Sequence, residues 1–480
     1  MKDMVLIMSD QHGWDYTGFA DERIDTPGLK KIAEEGLMFE RCYCNSPLCV
    51  PSRMSFLSGK LPSQLGVFNN DAALGGDMPT IAHEMGRLGY QTVLAGRMHF
   101  KGEDQKHGFD ERYCGDITSQ FWGTGGKKRL DFGVYAGTTN RINCLNAVGG
   151  GISPVMLYDE MVFQSAMGFL EDWGKKKENG KPLFLVIGFY GPHFPFTCRN
   201  EDYLKYQSRF SIEECEKEAR LPSLSAYNEF LQECAPEHMR NCKAAYCGLV
   251  EQLDRYVGEL YNKIQAVEAG REYLFLYTSD HGEQLGKRKL FGKQTMYEAA
   301  VRIPLLAAGT GIAPGISKEP AGLLDVSRTL LEETGRNGNY SWHQGNKLDF
   351  SGSRNEKSRL VRIQQMVGSD DSPQLIEAVV LGQYKIVKSG NETIYLYDLQ
   401  EDPDEEHDLS LTREGLLKKL MKQIEESGGF LSKHEVKYLS DREREARDGQ
   451  RRLKAWGQAK KPEEWATMKI DKNTLINPRE

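Results

Sequence analysis

Five polar groupings in this chain combine residue types that could act together on an anionic ester. Asp10-Gln11 and Asp280-His281 each follow an apolar run, and together they offer two carboxylates, an amide oxygen and an imidazole. Such an oxygen-rich set suits a hard divalent cation such as calcium or magnesium. Gly96-Arg97-Met98-His99 and Gly191-Pro192-His193-Phe194-Pro195 close two further apolar runs, and Lys293 sits in the loop Phe291-Gly292-Lys293-Gln294. Taken singly, each has an ordinary structural reading: a strand-end Asp caps a helix, a His is hydrogen-bonded in the core, a loop Lys is a surface charge. Cys49 stands apart. It opens Cys49-Val50-Pro51-Ser52-Arg53, continued by Met54-Ser55-Phe56-Leu57-Ser58-Gly59.

The elements that must position these groups can be read from apolar patterning. Val5 to Met8 reads as a buried strand that stops at polar residues, the usual place for an active site at the carboxyl end of a parallel sheet. The stretch Pro51 to Gly59 reads as a helix, which puts Cys49 near a helix N-terminus. Helix-then-strand alternation recurs: a helix over 80–88 before a strand over 91–95, one over 157–175 before 183–189, and one over 243–266 before 273–277. This alternation predicts an α/β fold with a large, mainly parallel sheet sandwiched by helices. From about residue 375 the texture changes to a hairpin around Gly382, a strand over 392–399 and a helix over 416–426. The expected organisation is a catalytic domain over 1–370, a small antiparallel sheet plus helix over 371–430, and a charged C-terminal tail over 431–480. The tail reads as a solvated helix and an extended end carrying Trp456 and Trp465, with contact to a second subunit as the alternative.

A chain of 480 residues with a net charge of −7 carries no global signal for nucleic acid or an anionic membrane. The N-terminal apolar run is too short for a signal-peptide core or a membrane span, so a cytoplasmic location is expected. The 10 cysteines are scattered rather than set at disulfide-framework or zinc-site spacings. Most of them read as reduced thiols.

Cys-x-Pro-Ser-Arg with Leu57-Ser58-Gly59 resembles the signature of type I, formylglycine-dependent sulfatases of the alkaline-phosphatase-like superfamily. The other groupings fall into that family's order, as do Arg302-Ile303-Pro304-Leu305 and the stretch Tyr397-Asp398-Leu399…Asp402-Pro403…Glu406. The resemblance runs from about residue 3 to about residue 410. It implies hydrolysis of a sulfate ester to alcohol and inorganic sulfate. It implies that Cys49 is converted by a maturation enzyme to Cα-formylglycine, whose hydrate supplies the nucleophile. Carried over residue by residue, Asp10, Gln11, Asp280 and His281 would bind one divalent cation, calcium first, with magnesium or manganese as alternatives. Arg53 would steady the nucleophile, His99 would be a base, and His193 and Lys293 would contact sulfate and help protonate the leaving oxygen. Arg97 would add positive charge to the sulfate pocket.

Two departures widen the reading. Gln11 and His281 differ from the Asp and Asn that many sulfatases have there, and the Asp-Gln/Asp-His set is similar to that of phosphonate monoester hydrolases and related phosphodiesterases. Arg97 replaces the usual Lys, and the two are not interchangeable. The block from Ala95 to Arg112 is similar to choline-sulfatase-like members, and Tyr113 and Trp122 could supply part of an aromatic cage for a quaternary ammonium; ordinary packing is the other reading. The expected partner is a small-molecule or saccharide sulfate ester. A phosphodiester or phosphonate monoester is the second candidate, and a decayed, non-catalytic binding protein the third.

Overall fold

A computed structural model describes residues 1–118, 147–176, 180–216, 235–336, 338, 340–351, 359–369, 371–389 and 393–458. Its centre is β1 (Asp3–Asp10), apolar over most of its length and buried throughout. Successive side chains of β1 enter opposite cores, as a period of two requires. Met4, Leu6 and Met8 pack with Leu57 and Val326 on one face, whereas Val5 and Ile7 pack with Leu170, Val257 and Leu260 on the other. This is why β1 reads as a continuous hydrophobic run rather than an alternating one.

In chain order the further strands are β2 (Leu37–Tyr43), β3 (Gln91–Gly96), β4 (Glu111–Tyr113), β5 (Gly149–Gly150), β6 (Leu183–Pro192), β7 (Thr197–Cys198), β8 (Tyr273–Ser279), β9 (Arg302–Gly309), β10 (Gly315–Ser317) and β11 (Ala321–Gly322). The large sheet runs β10-β2-β9-β8-β1-β6-β3-β4, with β11 beside β2; β5 and β7 form a small pair of their own. β1 is parallel to both neighbours, with Leu6 opposite Val186 on β6 and Leu276 on β8. The segment beginning Arg302-Ile303-Pro304-Leu305 is β9, and it runs antiparallel to both β8 and β2. The sheet is therefore mixed, and mainly parallel around the site.

Helices cover both faces. One face carries α1 (Pro27–Glu35) and, further along the chain, α4 (Pro154–Lys176) and α5 (Pro236–Val267); the other carries α2 (Cys49–Ser58), α3 (Ile81–Arg87) and α6 (Leu323–Glu332). Along α5 the buried positions Leu249, Leu253, Val257, Leu260 and Ile264 recur at helical spacing, so one stripe faces the sheet.

The small sheet comprises β12 (Leu360–Ser369), β13 (Ser372–Leu381), β14 (Tyr384–Lys388) and β15 (Ile394–Asp398), all antiparallel in that order. Its first strand starts at Leu360, ahead of the change of texture at 375, because β12 pairs along its whole length with β13. Ala378 and Val380 face the large core, while Val379 and Leu381 face α7 (Glu414–Glu426) through Leu420 and Ile424. The D-P-x-E spacing falls on Glu405, and it is Glu405 that is buried, whereas Glu406 is exposed. The helix α8 (Lys433–Gln458) is exposed over most of its described side chains and buries Leu439 against Phe68, Met366 and Leu375, and its Glu443 accepts from Asn69 at 2.7 Å. Trp122, Trp465 and the extended end of the tail lie outside the described residues. No helix among the described residues is long and apolar enough to cross a membrane.

Candidate active site

Four strands deliver their polar ends to one edge of the sheet. β1 ends at Asp10, β8 at Ser279 just before Asp280, β3 at Gly96 just before Arg97, and β6 at Pro192 just before His193. Parallel strands share a carboxyl edge, so residues far apart in sequence converge there. Close approach of the β3 and β6 ends depends on Gly188, where a Cβ would lie 1.8 Å from the Arg97 carbonyl oxygen. Gln11 and His99 have positive φ, 70° and 59°. Non-glycine residues in that region are strained by roughly 1–3 kcal/mol each and cluster at functional sites.

Cys49 is the first residue of α2, fully buried at the centre of the group. Its Sγ lies 3.1 Å from His281 Nε2 and 3.6 Å from Asp10 Oδ1. One ligand atom from each of Asp10, Cys49, Asp280 and His281 falls within 4.8 Å of all the others. His281 Nδ1 donates to the Gly282 carbonyl at 3.0 Å, which leaves the Nε2 lone pair directed at the cluster. Burial holds this imidazole below its usual range, so it is neutral, as a metal ligand must be. Two carboxylate oxygens and a neutral imidazole nitrogen make a donor set that fits a hard or borderline divalent cation.

The surrounding charge is positive. Arg53 Nε donates to Asp280 Oδ2 at 2.7 Å, and its Nη2 donates to Asp10 Oδ2 at 3.3 Å. Arg97 Nε donates to the same Asp10 oxygen at 2.6 Å. Burial by itself would raise Asp10, but the charges of Arg97, Arg53 and Lys293 outweigh it and hold the carboxyl well below the usual carboxylate range. Burial and then the Asp10 charge push the Cys49 thiol up to about 11. An unmodified thiol at this position stays protonated near neutral pH and is a poor nucleophile.

All of the expected site residues come together, some with partners the sequence did not reveal. Arg97 also donates from Nη1 to Asp116 at 2.8 Å and Thr118 at 3.1 Å, from Nη2 to His99 Nδ1 at 2.7 Å, and lies 4.5 Å from the Tyr190 ring centroid. His99 thus accepts at Nδ1 and carries its proton on Nε2; burial, then Arg97, holds it well below the usual imidazole range. His193 Nδ1 donates to the Phe194 carbonyl at 2.9 Å, and burial, then Lys293, keeps this ring neutral too. Lys293 Nζ donates to Gln11 Oε1, and Gln11 Nε2 donates to Glu283 Oε2. Glu283 also accepts the Leu285 N–H at 2.8 Å and the Gly292 N–H at 2.5 Å, so it braces the loop carrying Lys293. Asp116, Thr118 and Glu283 were not singled out from sequence. Glu283 could have been, since it follows Asp280-His281-Gly282 directly; Asp116 carries no local signal. Tyr113 packs on Phe169 of α4 at 5.7 Å and donates to Glu111, away from the cysteine cluster.

The cation-competent cluster and the Arg and Lys side chains around it make this edge of the sheet a place where an anionic group could be held beside Cys49. The chain belongs to the sulfatase family, whose model matches residues 2–335. It is 31% identical to the choline-sulfatase of Rhizobium meliloti over 84% of this chain and 81% of that protein. It is 26% identical to an arylsulfatase of Clostridium perfringens, covering 69% of this chain and 74% of that one. The fold also matches the phosphonate monoester hydrolase of Silicibacter pomeroyi, with a TM-score of 0.69, 18% identity and coverage of 89% of this chain and 96% of that one.

Proposed function

We propose that this chain hydrolyses a small-molecule or saccharide sulfate ester, with Cys49 converted by a maturation enzyme to Cα-formylglycine. The observation that carries the reading is the convergence of Asp10 Oδ1, Asp280 and His281 Nε2 on the Cys49 side chain. Asp10, Asp280 and His281, joined by Gln11, would hold one divalent cation, calcium in the first instance. Such a cation, together with the formylglycine hydrate, supplies a nucleophile of lowered pKa and neutralises charge on the ester oxygens.

The chain's own residues do the rest. Arg53 ties Asp10 to Asp280 and keeps both acidic groups aimed at position 49. Lys293 presents an ammonium group to the site from its buried loop, where it binds an ester oxygen and protonates the leaving oxygen. His193 stands beside Asp10, its Nε2 at 4.0 Å from Oδ1; protonated at that nitrogen, it would contact an ester oxygen and help protonate the leaving oxygen. As held by the Arg97 donor at Nδ1, His99 carries its proton on Nε2 and is a hydrogen-bond donor there; it would serve as a base at Nε2 only in the other tautomer, with the proton on Nδ1 and the Arg97 contact released. Preorganised cations of this kind act on charge that grows in the transition state, each worth ~3 kcal/mol or more.

A phosphonate monoester or phosphodiester is the second reading, supported by the Gln11 and His281 pair and by the fold shared with a phosphonate monoester hydrolase. Parallel kcat/KM measurements on an aryl sulfate, choline sulfate, a sulfated sugar and an aryl phosphonate monoester test the two. Choline sulfate enters the panel because of the choline-sulfatase relative. A phosphonate preference of ~100-fold or more would sink the sulfatase reading.

A further inference from the structure

The small C-terminal sheet reaches both loops that present the site residues. On β12, Arg362 O accepts from Asn45 Nδ2 at 2.8 Å, Gln364 N–H donates to Asn45 O at 3.0 Å, and Gln365 Oε1 accepts from Ser46 Oγ at 3.2 Å. Asn45 and Ser46 lead directly into Cys49. On β14, Lys385 is fully buried, and its Nζ donates to Met296 O at 2.8 Å and to Glu298 Oε1 at 2.8 Å. It also pairs with Glu405, whose other oxygen accepts the Glu298 N–H at 2.7 Å. Met296 and Glu298 close the loop that carries Lys293. The two loops are themselves joined, since Gln294 N–H donates to Pro47 O at 3.0 Å.

We propose that Lys385 is a positioning residue, clamping the Lys293 loop against the Cys49 loop from the C-terminal sheet, with Gln365 doing the same for the Cys49 loop. The inference rests on the reading that Lys293 contacts the anionic ester. A buried lysine held by a carbonyl and two carboxylates is an expensive arrangement, and hydrophobic side chains of similar volume would hold a structural interface at least as well. What the ionic version adds is direction: three acceptors fix the ammonium, and two of those acceptors belong to the loop.

Four variants test the clamp. Lys385→Met is made alone and together with Glu405→Gln, which removes one of the two carboxylates left without their cation. Gln365→Leu deletes the Ser46 contact with no buried charge at stake. Leu396→Ala, on the opposite face of the same sheet, is the packing control. The double variant is expected to recover part of the thermal midpoint lost by Lys385→Met but not its activity. In that double variant, kcat/KM should fall up to about 100-fold, the scale of an ångström-sized misplacement. Amide exchange over 293–298 should quicken about tenfold or more, the sign of a loop released from its anchor. Gln365→Leu should lower kcat with little change in KM, and Leu396→Ala should lower the midpoint alone. A folded double variant and a folded Gln365→Leu whose exchange and kcat/KM both stay within about twofold of wild type would overturn the inference. Exchange is read on the protein itself, so a wild type inert towards sulfate esters defeats the functional reading. The clamp is then decided by exchange and by phosphonate turnover.

Discussion

Arg97 and Asp10 meet at the floor of the site, Nε to Oδ2 at 2.6 Å, with neither side chain more than 1% exposed. The same guanidinium reaches Asp116, Thr118 and His99, so its named partners take four of its five N–H groups. Arg97 therefore does more than add positive charge; it joins β1, β3 and the segment at Asp116 into one frame. A lysine has neither the fork nor the reach for these partners.

Arg97→Met is expected to cost about 3–5 kcal/mol, the range for a buried ion pair broken from one side, because Asp10 and Asp116 remain buried. Urea unfolding of the variant checks this. Arg97→Lys keeps a charge near Asp10 but abandons His99 and Asp116, and a fall in kcat/KM of ~100-fold is expected. Unchanged kinetics in a folded Arg97→Lys protein would show that the fork is dispensable.

Conversion of Cys49 to an aldehyde, as proposed, would have a direct physical signature. Replacing the thiol by an aldehyde exchanges sulfur for oxygen and removes two hydrogens, so the intact mass drops by ~18 Da in matured protein. Protein produced without a maturation enzyme should retain the full mass and turn over substrate slowly, its thiol being held protonated by burial. Cys49→Ala should be inactive in both preparations. An active Cys49→Ala enzyme would remove residue 49 from the chemistry.

The Asp10, Asp280 and His281 cluster predicts dependence on a divalent cation. EDTA treatment should abolish turnover, and added calcium should restore it. In His281→Ala the calcium concentration for half-maximal activity should rise by more than the ~10–100-fold typical of losing an outer contact to a metal ligand. Full activity after exhaustive chelation is the contrary result.

Asp159 on α4 accepts the Tyr190 and Gly191 N–H groups at 2.7 Å each, just before the turn that presents His193. Burial pushes its carboxyl from 3.8 up to about 7, so the folded protein binds this proton more tightly than the unfolded chain does. The associated stabilisation is complete below the unfolded value and is lost as pH rises through about 7. The stability advantage of wild type over Asp159→Asn should shrink between about pH 4 and about pH 8 in thermal melts. An advantage that grows over that window would contradict the sign.

Much of the large sheet was legible in the sequence because its strands are short apolar runs that end abruptly in polar pairs, and the physics of burial on both faces demands that pattern. The Cys49 signature, the strand-end pairs and Lys293 were legible for the same reason: their chemistry is local in sequence. Tertiary structure alone decided the rest. That β9 runs antiparallel depends on pairing with β8 and β2, and nothing in Arg302-Ile303-Pro304-Leu305 itself encodes direction. Asp116 and Asp159 each look like an ordinary acidic residue until burial and a distant partner give them a task. Lys385 is the clearest case. On its strand it reads as one charge among several, and only the packing of β14 against Met296, Glu298 and Glu405 turns it inward, because a buried ammonium must find its acceptors wherever the fold brings them.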